Sequence, residues 1–113
     1  MPEPGVVDGR HYTEWVDAVR DLRRGGDDAA ALKLLDKLMR ATLQETAATG
    51  LPPAPWYFEQ AAIIHRKAQD PAAEVAVLMR FLAAMPAGFE VPPQIPDRLR
   101  KAEALVERQR SSS

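Results

Sequence analysis

Apolar residues recur along most of the chain at three- and four-residue steps, the spacing that lines one face of a helix. From His11 to Arg24 the stripe is Tyr12, Trp15, Val19 and Leu22, with Asp17, Asp21 and Arg24 elsewhere on the helix. Gly25-Gly26 ends it, because glycine readily takes the left-handed conformation of a helix C-cap. Asp27 or Asp28 can then cap a long second helix, predicted from about Asp28 to Thr49. Leu32, Leu35, Met39 and Leu43 lie on one side, and Leu34, Leu38 and Ala41 widen the stripe. Lys33, Asp36, Lys37, Arg40 and Gln44 form its wet side. After Gly50, the run Leu51-Pro52-Pro53-Ala54-Pro55 is a stiff linker in which helix is disfavoured.

The pattern is densest from Ala54 to Pro86, which is predicted to form a hairpin of two apolar helices. Pro55 suits a first helical turn, where its missing N–H costs nothing. Trp56, Tyr57, Phe58, Ala61, Ala62, Ile63 and Ile64 leave the third helix few wet positions, so it is expected to be central. Gln69-Asp70-Pro71 is the turn: Asp70 supplies a capping side chain and Pro71 the first helical residue. The fourth helix runs to Met85-Pro86.

Residues 86–96 are punctuated by proline and are expected to be an ordered loop pinned by Phe89, Val91 and Ile95. A fifth helix follows from about Pro96 to Gln109, with Leu99, Ala102, Leu105 and Val106 inward. On this pattern Arg98, Arg100, Lys101, Glu103, Glu107 and Arg108 look outward. Residues 1–10 read as a flexible leader and 110–113 as a disordered tail. The fold class is therefore all-α: about five helices in antiparallel hairpins, forming one domain over 11–109.

Composition removes several functions. The 113 residues carry 15 basic and 16 acidic side chains, a net charge of -1, so no overall field draws the chain to nucleic acid or anionic lipid. Neither a nucleic acid nor a membrane is expected as a partner. The most apolar window, Val75 to Met85, is too short to span a bilayer and is interrupted by Arg80. The start, MPEPGVVDGRHYTEW, has the form of no signal peptide, and the chain has no cysteine; both fit a cytoplasmic protein.

Catalytic chemistry finds no set of residues. Serine occurs only at 111–113, cysteine is absent, and no glycine-rich loop opens a helix to hold phosphate. The two histidines, His11 and His65, lack metal-ligand spacing, so no metal or cofactor is expected and the chain reads as a non-enzyme. His65 and Arg66 lie across the 69–71 turn from Glu74, and an ion pair or hydrogen bond fixing the hairpin register accounts for them.

Aligning Gly26-Asp27-Asp28 with Gln69-Asp70-Pro71 lays the first helical pair over the second, with a period of about 43 residues. Trp15 then falls on Phe58, Ala18 on Ala61, Leu35 on Leu78 and Leu38 on Phe81. An aromatic early in each first helix, a small residue one turn on, an acidic turn and Pro86 at the end resemble the tetratricopeptide repeat (TPR) family. The pattern departs from that family at Glu74, where a small residue is usual, at Val19 and Ala62, where glycine is usual, and in having no closing proline after the second helix. The resemblance covers about Tyr12 to Pro86, and the fifth helix would cap the array.

The resemblance implies a right-handed array whose first helices line an inner binding face. By the alignment that face holds Thr13, Val16, Arg20, Arg23, Trp56, Glu59, Ile63 and Arg66, a mix of aromatic, aliphatic and arginine side chains suited to a peptide. Packing of Trp56 and Ile63 against the fifth helix and the Phe89 loop is the competing account. The lysine–asparagine clamp with which some TPR domains hold a terminal carboxylate is not matched. A second surface is the outside of the fourth helix, where Val75, Val77, Met79 and Phe81 would form a dimer face. The expected function is non-catalytic binding of another protein or a peptide, as an adaptor or regulatory module. The alternatives are a small structural protein that homodimerises through the fourth helix, and an accessory subunit completing an enzyme's site.

Overall fold

Two aspartates set the frame of the molecule. In the computed structural model, which describes residues 3–112, Asp27 accepts the Ala30 N–H at 3.1 Å and Asp70 accepts the Ala73 N–H at 3.1 Å. Each caps the second helix of a hairpin. The helices are α1 (Val16–Arg24), α2 (Asp28–Thr49), α3 (Pro55–Lys67), α4 (Pro71–Ala84) and α5 (Gln94–Ser112). The regular structure of the described residues is thus helical apart from one small two-stranded sheet.

The turns before the two caps have the same backbone hydrogen bonds. Gly25, Gly26 and Asp27 donate to the carbonyls of Asp21, Arg23 and Leu22; Ala68, Gln69 and Asp70 donate to those of Ile64, Arg66 and His65. The left-handed position is Gly26 in one turn (φ 79°) and Gln69 in the other (φ 59°). Glycine takes that conformation freely, whereas glutamine does so against a steric penalty.

Each helix packs mainly on its neighbours in the chain, and the molecule measures 48 × 38 × 22 Å. With a helix about 10–12 Å across, the short dimension holds two layers. The core lies between them. Leu35, Leu38, Phe58, Ala61, Leu78 and Phe81 are wholly enclosed, and the Phe58 and Phe81 rings meet edge-on at 5.4 Å. Fully burying a leucine- or phenylalanine-sized side chain stabilises by about 1.5–3 kcal/mol, so this cluster is the main source of stability.

Four expectations are corrected. The leader is an ordered hairpin: β1 (Val6–Val7) pairs antiparallel with β2 (Arg10–His11), and Val7 is buried in the core. Asp8 (φ 47°) and Gly9 (φ 82°) make its two-residue turn, which Asp-Gly favours because both positions need positive φ. Met1 and Pro2, also assigned to the leader, lie outside the described residues. The first helix is broken in two: a 3-10 turn at Tyr12–Trp15, capped reciprocally by the His11 ring and the Glu14 carboxylate, precedes α1, and the break falls at Trp15, whose backbone (φ -103°, ψ 2°) leaves the helical region. Phe89 does not pin the 86–96 loop: it is 45% exposed, and Val91 and Ile95 hold the segment instead. Finally, α5 starts at Gln94 and continues through the expected tail to Ser112, while Ser113 lies outside the described residues.

Candidate interaction face

Glu74 is the residue around which the candidate face is built. It stands on the first turn of α4 with its side chain fully buried. Arg66 of α3 donates through Nε to Glu74 Oε1 at 2.8 Å, and Arg98 of α5 approaches Oε2 at 3.5 Å. Arg66 also donates through Nη2 to the Arg98 carbonyl at 3.2 Å. One carboxylate thus ties three helices together. Its desolvation is offset by two guanidiniums, whereas an unpaired buried carboxylate would be strongly destabilising. His65 takes no part in this pairing.

Two clefts open beside the triad. One, of about 200 Å³, lies between α3 and α5 and is lined by Glu59, Arg66, Gln94, Asp97, Arg98 and Lys101. Gln94 donates to Glu59 at 2.9 Å across its mouth. Hydrogen bonding and charge from Lys101, helped by Arg100, hold the Asp97 carboxyl below the usual carboxylate range. The other cleft, of about 400 Å³, lies between the α3–α4 turn and the C-terminal half of α5. Pro71 and Leu105 give it an apolar floor, Arg66 closes one side, and Gln69 and Gln109 line the rest. Gln109 donates to the Gln69 carbonyl at 3.1 Å. Arg66 therefore borders both clefts.

The remaining inner-face residues are distributed along α1 and α3. Arg20 is exposed, pairs with Asp17 at 3.8 Å, and places its guanidinium 5.7 Å from the Trp56 ring. Arg23 donates through Nη1 to Gln60, while its Nε is buried without a partner. Trp56 is half-buried against the core and edge-on to Tyr57 at 5.0 Å. Val16 is half-buried against the same core, and Ile63 is half-buried on α3. Thr13 stands apart from the face, with its hydroxyl 2.8 Å from His11 Nδ1 in the N-terminal turn. The structure therefore joins Arg20 with Trp56, and Glu59 and Arg66 with α5.

The dimer face does not form as a strip. Val77 and Phe81 belong to the core, Val75 is half-buried in a cleft bordered by α5, and of the four only Met79 is exposed, at 49%. Residues 77 and 81 stand one turn apart on the side of α4 that meets α3, so their apolar surface is already covered.

Sequence reasoning overlooked Arg98, Gln94, Lys101 and Gln109, all on α5. A signal for Arg98 was present: with Ile95, Ala102 and Leu105 it falls on one side of the helix at helical steps. Charge assigned it to water, but the buried Glu74 turns it inward. The hairpin latch was also overlooked. His11 Nε2 lies 2.6 Å from Glu45 Oε2, and the Tyr12 hydroxyl donates to Glu45 Oε1 at 3.1 Å, fixing the N-terminal hairpin to α2.

Among the described residues no group of three or more potential metal-binding side chains converges, and no helix is long and apolar enough to cross a membrane. Comparison of the chain with protein-family models, with curated proteins and with solved structures finds no match.

Proposed function

We propose that the protein is a non-catalytic protein- or peptide-binding module of TPR-like type, acting as an adaptor or regulatory domain. The observation that carries this is the cleft between α3 and α5, where side chains from the two helices face each other across about 200 Å³ beside the clamped Arg66. In a TPR-like array these would be two of the helices lining the binding face. The repeated turn geometry at Asp27 and Asp70 supports the same assignment, since two hairpins with equivalent turns and caps are the unit of such an array. Arg20 beside Trp56 extends the face along α1 with the residue types that anchor peptides most often.

The test is selection of random displayed peptides on the intact protein, followed by rebinding of the selected peptides to Trp56→Ala and Lys101→Glu variants. Peptides bound by the wild type and weakened at least about tenfold by either substitution support the inner face. Failure to select any peptide, or equal binding to all three proteins, refutes it. Homodimerisation through the fourth helix loses its structural basis with Val77 and Phe81 in the core.

A further inference from the structure

The two hairpins offer an internal comparison, because Gly26-Asp27-Asp28 and Gln69-Asp70-Pro71 occupy the same turn with the same backbone hydrogen bonds. Only the capping aspartate is shared. At the first turn the left-handed position is glycine, and Asp28 pairs with Lys67 of α3 at 3.6 Å. At the second turn the left-handed position is Gln69 (φ 59°), and proline stands in the place of Asp28. Both exchanges fall on one cleft, the space of about 400 Å³ between this turn and the C-terminal half of α5. One replaces an ion-paired carboxylate with an apolar floor. The other accepts a steric penalty to place a glutamine at the cleft. Strained residues of this kind cluster at sites that hold ligands.

The cleft is neutral as well as apolar. Arg66 is the charged residue among those lining it, and it is engaged through Nε by Glu74 at 2.8 Å and through Nη2 by the Arg98 carbonyl at 3.2 Å. A charged group entering would lose water and gain no counter-charge, so the occupant is uncharged. Leu105, on the inward stripe of α5, is only half-buried and shares the floor with Pro71. Two exposed primary amides complete the lining. Gln109 donates to the Gln69 carbonyl at 3.1 Å, and the Gln69 side-chain amide makes no hydrogen bond within the described residues. A primary amide carries donor and acceptor side by side, the complement of a peptide N–H and C=O.

Resting on the peptide-binding role proposed above, we infer that the cleft takes an uncharged aliphatic side chain of an extended peptide. The Gln69 side chain bonds the peptide backbone beside it.

The experiment follows three pools of fluorescein-labelled synthetic peptides by fluorescence anisotropy with the full chain. The pools share uncharged random flanks and carry leucine, glutamate or lysine at the centre. The leucine pool is expected to bind at least about tenfold more tightly than either charged pool, with no loss as salt is raised. Gln69→Gly installs the residue of the first turn. It is expected to raise the urea midpoint and yet to weaken binding of the leucine pool by about fivefold, a combination that a merely structural Gln69 would not give. Leu105→Asp is expected to abolish the preference for leucine, and Arg108→Gln, on the exposed side of α5, to preserve it; thermal melts confirm that both variants fold. If Leu105→Asp unfolds the chain, Leu105→Ala is used instead and is expected to weaken the leucine pool alone. Equal binding of the three pools by the wild type, or unchanged binding of the leucine pool by Gln69→Gly, overturns the inference but leaves peptide binding intact. A lowered midpoint in Gln69→Gly overturns it as well, because glutamine then does not strain the turn. Binding of no pool overturns it too, and the random selection then decides whether any peptide binds. Tighter binding of a charged pool, or a doubling of mass without peptide, also overturns it by identifying another occupant.

Discussion

Glu74 and Gly5 show how single positions control the fold. The Glu74 carboxylate is removed from water and kept by two guanidiniums, so truncation empties the enclosed site and leaves two partly solvated guanidiniums without their counter-charge. Glu74→Ala is expected to destabilise by about 3–5 kcal/mol in urea unfolding. Replacing all three members with Arg66→Met, Glu74→Leu and Arg98→Met should recover most of that loss, because no desolvated charge remains. Gly5 acts through shape. Its φ is 85°, and an added Cβ would stand 2.6 Å from Glu45 Oε2 and 3.1 Å from the His11 ring. Gly5→Ala is expected to cost about 1–2 kcal/mol and to raise hydrogen exchange in the N-terminal hairpin selectively. Pairing of Arg66 with Glu74 was legible from the turn between them. Pairing of Arg98 with Glu74 was not: its spacing with Ile95, Ala102 and Leu105 marks the inward side of α5, but only the fold shows which buried acid it meets.

At the scale of elements, local chemistry determined the boundaries and tertiary contact determined the faces. Asp27 and Asp70 mark helix starts in the sequence and perform that role in the structure with equal 3.1 Å bonds. Asp70→Ala is expected to lower stability by about 1 kcal/mol, and Asp70→Asn to retain most of it, by chemical denaturation. The fourth helix is different, being apolar on nearly every side. Periodicity cannot rank two apolar faces, and the helix buries the one that α3 offers Phe58 to meet. Phe81→Ala is therefore expected to cost about 3–5 kcal/mol without altering the mass measured by light scattering. A large change in mass at unchanged stability would return Phe81 to an interface.

For the whole molecule, the N-terminal hairpin, α2 and α3 are joined through two tyrosines. Burial, together with the Glu45 carboxylate, pushes the Tyr12 phenol up to about 12, and burial does the same for Tyr57. The Tyr57 hydroxyl donates to the Tyr12 carbonyl at 3.3 Å, and the two rings meet edge-on at 5.2 Å. Both groups are protonated in the folded and unfolded chain below the ordinary value of 10.0, so their stabilisation is complete there. As pH rises from about 10 to about 12 the unfolded chain loses its protons first, and stability falls. Denaturant midpoints should decline across that window, with phenolate absorbance appearing together with unfolding. In Tyr57→Phe the decline should be smaller, since one of the two titrating groups is gone.

The sequence by itself determined the helix count, the two acid-capped hairpins and the enclosed positions at their centre, because caps, proline and helical periodicity act over a few residues. Even the β-hairpin was within its reach, through Asp8-Gly9. Only the tertiary structure decided which charges turn inward, which apolar face of α4 is covered, and where the clefts lie. Those outcomes depend on which helix arrives beside which. A buried carboxylate on α4 gives Arg98 its partner, and the packing of α5 against the α3–α4 turn leaves a cleft beside Leu105. Spacing along α5 hints at the side on which Arg98 lies, but no spacing within a single helix encodes its partner or the cleft.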